Sequence, residues 1–99
     1  MIKPCYSDYI RHVIRFYARY HKPKFKTQVD EANWQACHNV IKTYSDRNKD
    51  ILLYSYGAFD TLGDNVYAMA KKYDIDQIII WDMMKEFERK VAIERGLWV

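Results

Sequence analysis

Arg11, Arg15, Arg19, Lys22, Lys24 and Lys26 follow one another with no acidic residue between them. Guanidinium and ammonium groups in such a run meet phosphates, and the interleaved Tyr17, Tyr20 and Phe25 are rings on which unpaired bases stack. A second set of residues, Gln77, Ile78, Trp81 and Lys85, lies on the outward face of a helix that begins near Gln77. There Gln pairs bidentately with adenine, Ile touches a thymine methyl and Lys meets a phosphate. Asp82 on the same face, and Asp74 and Asp76 at its end, oppose a phosphate backbone, although Asp82 has one base partner in the amino group of cytosine. Two other readings of this face stay open. In one, Ile78, Ile79, Trp81 and Met84 are buried beneath the N-terminal helices. In the other, Ile78 and Trp81 form an exposed patch for a protein partner or a second copy of the chain. The alternative for the basic run is a solvated helix face whose arginines pair with acids of the C-terminal half.

Catalytic chemistry finds no constellation. His12, His21 and His38 lack paired ligand spacing, so no metal is expected. Cys37 and His38 are neighbours on a helix and diverge by about 100 degrees, which is wrong for a nucleophile and its base. Asp74 and Asp76 lack the remainder of a calcium loop, and no glycine-rich loop cradles a phosphate. The expectation is a protein that is not an enzyme and carries no cofactor. Cys5 and Cys37 have no motif spacing and read as packing thiols rather than a disulfide.

The elements that position these residues are helices. The chain has 99 residues, enough for one domain, with 49% hydrophobic and 16% aromatic residues, which excludes a disordered protein. Only three glycines and two prolines occur, which favours an all-α fold. No run of about 18 apolar residues exists to cross a membrane. The N-terminus lacks a signal-peptide apolar region, so a cytoplasmic location is expected. Residues 1–45 hold eight Lys and Arg against three Asp and Glu, and residues 46–99 hold eight against ten, so the net charge of +3 comes from the N-terminal part.

Apolar spacing and capping residues give five helices. The first runs from Ser7 to Tyr20, with Tyr6, Tyr9/Ile10, Val13/Ile14, Phe16/Tyr17 and Tyr20 as one wide apolar face and Arg11, Arg15 and Arg19 as a stripe. Pro23 ends it, and Phe25 is a plug into the core. The second runs from Gln28 to Tyr44 behind a Thr27 cap, with Trp34, Cys37, Val40/Ile41 and Tyr44 inward. The third begins at Ser45 or Asp46 and ends at Tyr56, with Ile51, Leu52, Tyr54 and Leu53 inward and Gly57 as a left-handed terminator. Thr61 caps a fourth over residues 62–73. Asp74-Ile75-Asp76 is a turn, and Asp76 caps a fifth from Gln77 to Arg95, closed by Gly96. Met69, Ala70, Tyr73, Ile75, Ile80 and Met83 then have the spacing of a helix-turn-helix, a unit that usually lays its second helix in the DNA major groove. Ile80, Met84, Phe87 and Val91 form the main inward seam of the fifth helix.

The segment Asp46-Arg47-Asn48-Lys49-Asp50-Ile51-Leu52-Leu53-Tyr54, followed in order by Val66 to Tyr73, Ile75 and Ile80 to Val91, resembles the promoter-reading region 4 of bacterial sigma-70 factors. The resemblance covers about residues 45–95. Residues 1–44, the basic part, resemble no family; their apolar spacing gives two N-terminal packing helices, so the expected fold is a single all-α domain of five helices with a sigma region 4-like helix-turn-helix part (45–99). The resemblance implies a DNA-binding transcriptional regulator of phage or mobile-element origin, with duplex DNA as partner. In that role α-helical residues Gln77, Ile78, Trp81 and Lys85 face the groove and Arg11, Arg15, Arg19, Lys22, Lys24 and Lys26 hold flanking phosphates. The alternative is a small mobile-element interaction protein that inhibits a host nucleic-acid machine, such as RNA polymerase or a CRISPR effector. A homodimer fits either.

Overall fold

The computed structural model describes residues 6–19 and 26–96. The expectations placed on Cys5, on the side chains of Tyr6 and Ser7, and on Tyr20, His21, Lys22, Pro23, Lys24 and Phe25 lie outside the described residues. The described chain is five helices: α1 (Tyr6–Arg19), α2 (Gln28–Ile41), α3 (Asp46–Gly57), α4 (Leu62–Tyr73) and α5 (Gln77–Glu94). No strand occurs among the described residues.

Side-chain caps start four of these helices, each satisfying an orphan backbone donor. Thr27 Oγ1 accepts from the Asp30 amide at 3.1 Å, Ser45 Oγ from Asn48 at 3.2 Å and Thr61 Oγ1 from Asp64 at 3.3 Å. Asp76 Oδ1 accepts from Ile78 at 3.0 Å. α2 stops three residues short of Tyr44. The Thr43 and Tyr44 amides donate to Val40 O and Ile41 O, and Thr43 Oγ1 donates to Val40 O at 2.7 Å. This tight turn frees Ser45 to cap α3. Tyr44 still serves the core, with its ring edge-on to Phe87 at 5.8 Å.

α1 packs chiefly on α3, and α3 on α4. α5 runs beneath α1, α2, α3 and α4. The shared core comprises Ile10, Val13 and Ile14 of α1, Cys37, Val40 and Ile41 of α2, Ile51, Leu52 and Tyr56 of α3, Val66 and Met69 of α4, and Ile80, Met84, Phe87 and Val91 of α5. Tyr54, expected inward, is exposed, and Tyr56 takes its place. The reason is helical period: Leu52 and Tyr56 are four apart and stack on one face, while Tyr54 points half a turn away. Tyr9 and Phe16 are likewise partly exposed, so the buried face of α1 is narrower than its apolar spacing. Gly57 is not a left-handed terminator; among the described glycines only Gly96 has positive φ, at 71°. Gly57 instead admits α1, since a Cβ there would lie 3.1 Å from both Ala18 Cβ and Ala18 O.

Candidate nucleic-acid interface

The corner between α4 and α5 is built by one residue in a left-handed conformation. Asp74 has φ 53° and ψ 52°, and Asp tolerates this region because its short polar side chain bonds locally. The Asp74 amide donates to Lys71 O and the Ile75 amide to Ala70 O at 3.1 Å, closing the last carbonyls of α4. Ala70 is buried at this corner and Ile75 packs against the core. α5 therefore leaves α4 with Ile80, Met84 and Phe87 inward and Gln77, Ile78, Asp82 and Lys85 exposed. Trp81 lies between these faces, partly buried against the core.

Polar ties from α1, α2 and the turn after α2 reach the C-terminal half of α5 and its C-cap. Arg11 Nε pairs with Glu88 Oε2 at 3.4 Å, Tyr44 donates to Glu86 Oε1 at 3.2 Å, and Arg95 Nε donates to Asn33 Oδ1 at 2.6 Å. The outer face of the first turns of α5 is open: Ile78 is 61% exposed and Ile79 48%. Burial of Ile78 and Ile79 beneath α1 and α2 is thus corrected; of the four residues in that reading, Met84 is buried and Trp81 partly so. Charge around this protruding end is mixed. Asp74, Asp76 and Asp82 are exposed, as are Lys71, Lys72 and Lys85. Lys72 is committed, with Nζ 2.9 Å from Asp50 Oδ2. Asp50 also accepts from the Tyr73 hydroxyl, and that bond, then the lysine, hold its carboxyl below the ordinary value.

The arginine stripe divides into two parts. Arg11 is neutralised by Glu88, as the solvated-face reading expects of an arginine in this run. Glu88 itself accepts from the buried Tyr56 hydroxyl at 2.6 Å, and burial, then the Glu88 charge, push the tyrosine well above its usual range. Arg15 and Arg19 have no carboxylate within 4.0 Å among the described residues. Partial burial and then the neighbouring Arg19 charge lower the Arg15 pKa. The Arg19 guanidinium donates to Ala58 O at 3.4 Å and lies 5.4 Å from the centre of the Phe59 ring. Lys26 is exposed beside the Thr27 cap. Tyr17 is not presented with the arginines; its hydroxyl meets His38 Nδ1 at 3.1 Å, and its ring packs 5.5 Å from Trp34, which is stacked on His38. That trio ties α1 to α2.

The two groups of candidate residues stand at opposite ends of α4. Arg19 meets the loop before Thr61, whereas Gln77 follows the turn after Tyr73. Twelve residues of helix separate them, about 18 Å at the usual rise. Sequence reasoning missed Phe59 and Asn65. Phe59 reads as part of a connector, and its only signal is a large ring between Ala58 and Asp60. Asn65 is fully buried and donates through Nδ2 to Ser55 O at 3.0 Å and Asp60 O at 3.3 Å, which pins the loop. Cys37 is a buried free thiol with its pKa pushed up to about 12 by burial, so it is unreactive. Among the described residues no three His, Cys, Asp or Glu gather as a metal site, and no helix is long and apolar enough to cross a membrane. The chain matches no protein family, no curated protein and no solved structure, so its functional reading rests on the geometry of its own residues.

Proposed function

We propose that the chain is a DNA-binding regulator of the helix-turn-helix type, of phage or mobile-element origin. The observation that carries this reading is the exposed outer face of the first turns of α5, held at a fixed corner while its C-terminal half is tied to α1 and to Tyr44 after α2. A recognition helix needs that arrangement, because its first turns enter the major groove and its remainder must be rigid. Gln77, Ile78, Trp81 and Lys85 read the groove. Arg15 and Arg19, about 18 Å away along α4, hold flanking phosphates at roughly half a duplex turn. The resemblance of residues 45–95 to sigma-70 region 4 supports the same role. Selection of duplexes from a random library, followed by binding over a salt series, tests it. Affinity is expected to fall steeply with salt, because phosphate contacts release counterions. Lys85→Glu and Arg15→Glu/Arg19→Glu should each weaken binding at least tenfold, and Gln77→Ala should relax base preference at one position. A salt slope near zero removes the reading.

A protein-contact role has its own supporting observation. Ile78 and Ile79 expose an apolar patch rimmed by Asp74, Asp76 and Asp82, a surface suited to a partner protein rather than a polyanion. In that role the helix-turn-helix is a scaffold and the chain is an inhibitor of a host nucleic-acid machine, or pairs with a second copy. Pull-down from bacterial lysate with and without nuclease separates the two. A partner retained after nuclease treatment, and lost with Ile78→Asp, selects protein contact.

A further inference from the structure

Phe59 is 94% exposed, the most exposed large apolar side chain among the described residues. It does not sit on a loose loop. The Ala58 amide donates to Tyr54 O at 3.0 Å, Asn65 Nδ2 bonds Ser55 O and Asp60 O on either side of the ring, and the Asn65 amide donates to Thr61 O. Gly57 lets α1 close on the start of the same loop. The ring is therefore displayed on a fixed mount, and water solvates almost all of it although burial would be favoured.

One guanidinium group stands beside it, and a second lies one helical turn away. Arg19 lies against the ring and bonds the loop at Ala58 O, and Arg15 stands four residues earlier on α1, on the same helical face. Neither forms an ion pair with a described carboxylate, and the adjacent Asp60 reaches neither. Like charges held together without a counter-charge favour an anion between them. A ligand complementary to this surface joins a flat apolar ring to anionic groups in one flexible molecule.

We propose that Phe59, Arg15 and Arg19 form a binding site for single-stranded nucleic acid, with an unpaired base stacked on the open face of Phe59 and the adjoining phosphates held by the two arginines. A duplex keeps its base faces stacked and offers this ring nothing, whereas a single strand offers both parts. The site lies at the far end of α4 from Gln77 and does not depend on α5 reading a groove.

The test uses fluorescence anisotropy of the full chain with labelled oligothymidine and oligouridine of roughly ten nucleotides, a site size typical of such strands, and with a duplex of equal length. Binding of the single strands is expected, with whichever of DNA or RNA binds tighter identifying the strand the site takes. Phe59→Ala should weaken single-strand binding about tenfold, the usual effect of losing one stacked base. It should leave duplex binding within about twofold, and Phe59→Tyr should restore the single-strand affinity. The ring is exposed, so Phe59→Ala keeps the fold, which circular dichroism checks. Lys85→Glu should leave single-strand affinity unchanged, which separates failure of this site from failure of duplex reading by α5. The proposal is overturned if Phe59→Ala binds single strands as the parent chain does, or loses duplex and single strand equally. Displacement of the strand by poly-glutamate as readily as by unlabelled oligonucleotide also overturns it, since the surface would then take any polyanion.

Discussion

Asn65 shows how one buried polar side chain fixes the position of residues around it. Its Nδ2 supplies donors to Ser55 O and Asp60 O, and so closes the end of α3 onto the loop before α4. Burial makes these bonds matter, because a carbonyl stripped of water and of its donor costs about 1–3 kcal/mol. Asn65→Asp keeps the shape and replaces the donor with a carboxylate facing two carbonyls. It should destabilise the chain by about 3 kcal/mol or more, read as a fall in urea midpoint at unchanged m-value. Asn65→Ala should cost less, because it removes the donor without placing a charge there. No pattern in the sequence announces this role. An asparagine one turn into a helix reads as a solvated position, and only the neighbouring carbonyls make it structural.

At the scale of elements the decisive unit is the corner of α4 and α5. Its existence is legible in the sequence because its signals are local: Tyr73 ends an apolar period, Asp76 is a capping type, and Ile80, Met84 and Phe87 begin a new period. The left-handed residue is Asp74. A β-branched side chain there clashes with its own backbone at positive φ. Asp74→Val should therefore destabilise by about 1–2 kcal/mol, whereas Asp74→Gly should be neutral or better, both measured by thermal unfolding. The same reasoning failed at Gly57. A glycine at the end of an apolar period suggests a terminator, but its missing side chain serves the approach of Ala18 from a helix 39 residues earlier. Local sequence does not distinguish a glycine needed for its φ from one needed for its size.

Across the whole molecule, ties between distant elements carry a pH dependence. Asp50 joins α3 to Tyr73 and Lys72 of α4, and Glu86 of α5 accepts from Lys90 and Tyr44. Both carboxyls are held below their ordinary values of 3.8 and 4.5, Asp50 chiefly by the tyrosine hydroxyl and Glu86 chiefly by the lysine. A depressed carboxyl stabilises the fold above its ordinary pKa, and the contribution is lost as pH falls through the folded value. Asp50→Asn/Glu86→Gln should lower the Tm by a few degrees at pH 7, and the difference from the parent chain should shrink as pH falls below the ordinary carboxylate range and vanish once the parent carboxyls are protonated. Both groups are well exposed, so added salt should shrink the difference as well.

The sequence by itself determined the five helices, most of their limits, their caps and the turn at residues 74–76. Each of these depends on residues within a few positions of one another, where capping, φ preference and helical period act. It also determined which residues are chemically fit to meet nucleic acid. Only the tertiary structure decided which of them are free to do so. Arg11 is spent on Glu88, 77 residues away; Tyr17 is committed to α2; and Arg15 and Arg19 are left without a described counter-charge, with Arg19 set beside Phe59. The ties to the C-terminal half of α5 and the exposure of Ile78 and Ile79 were settled the same way. A helical period says which residues share a face, but which face finds a partner depends on how distant helices pack, and no spacing along the chain encodes that.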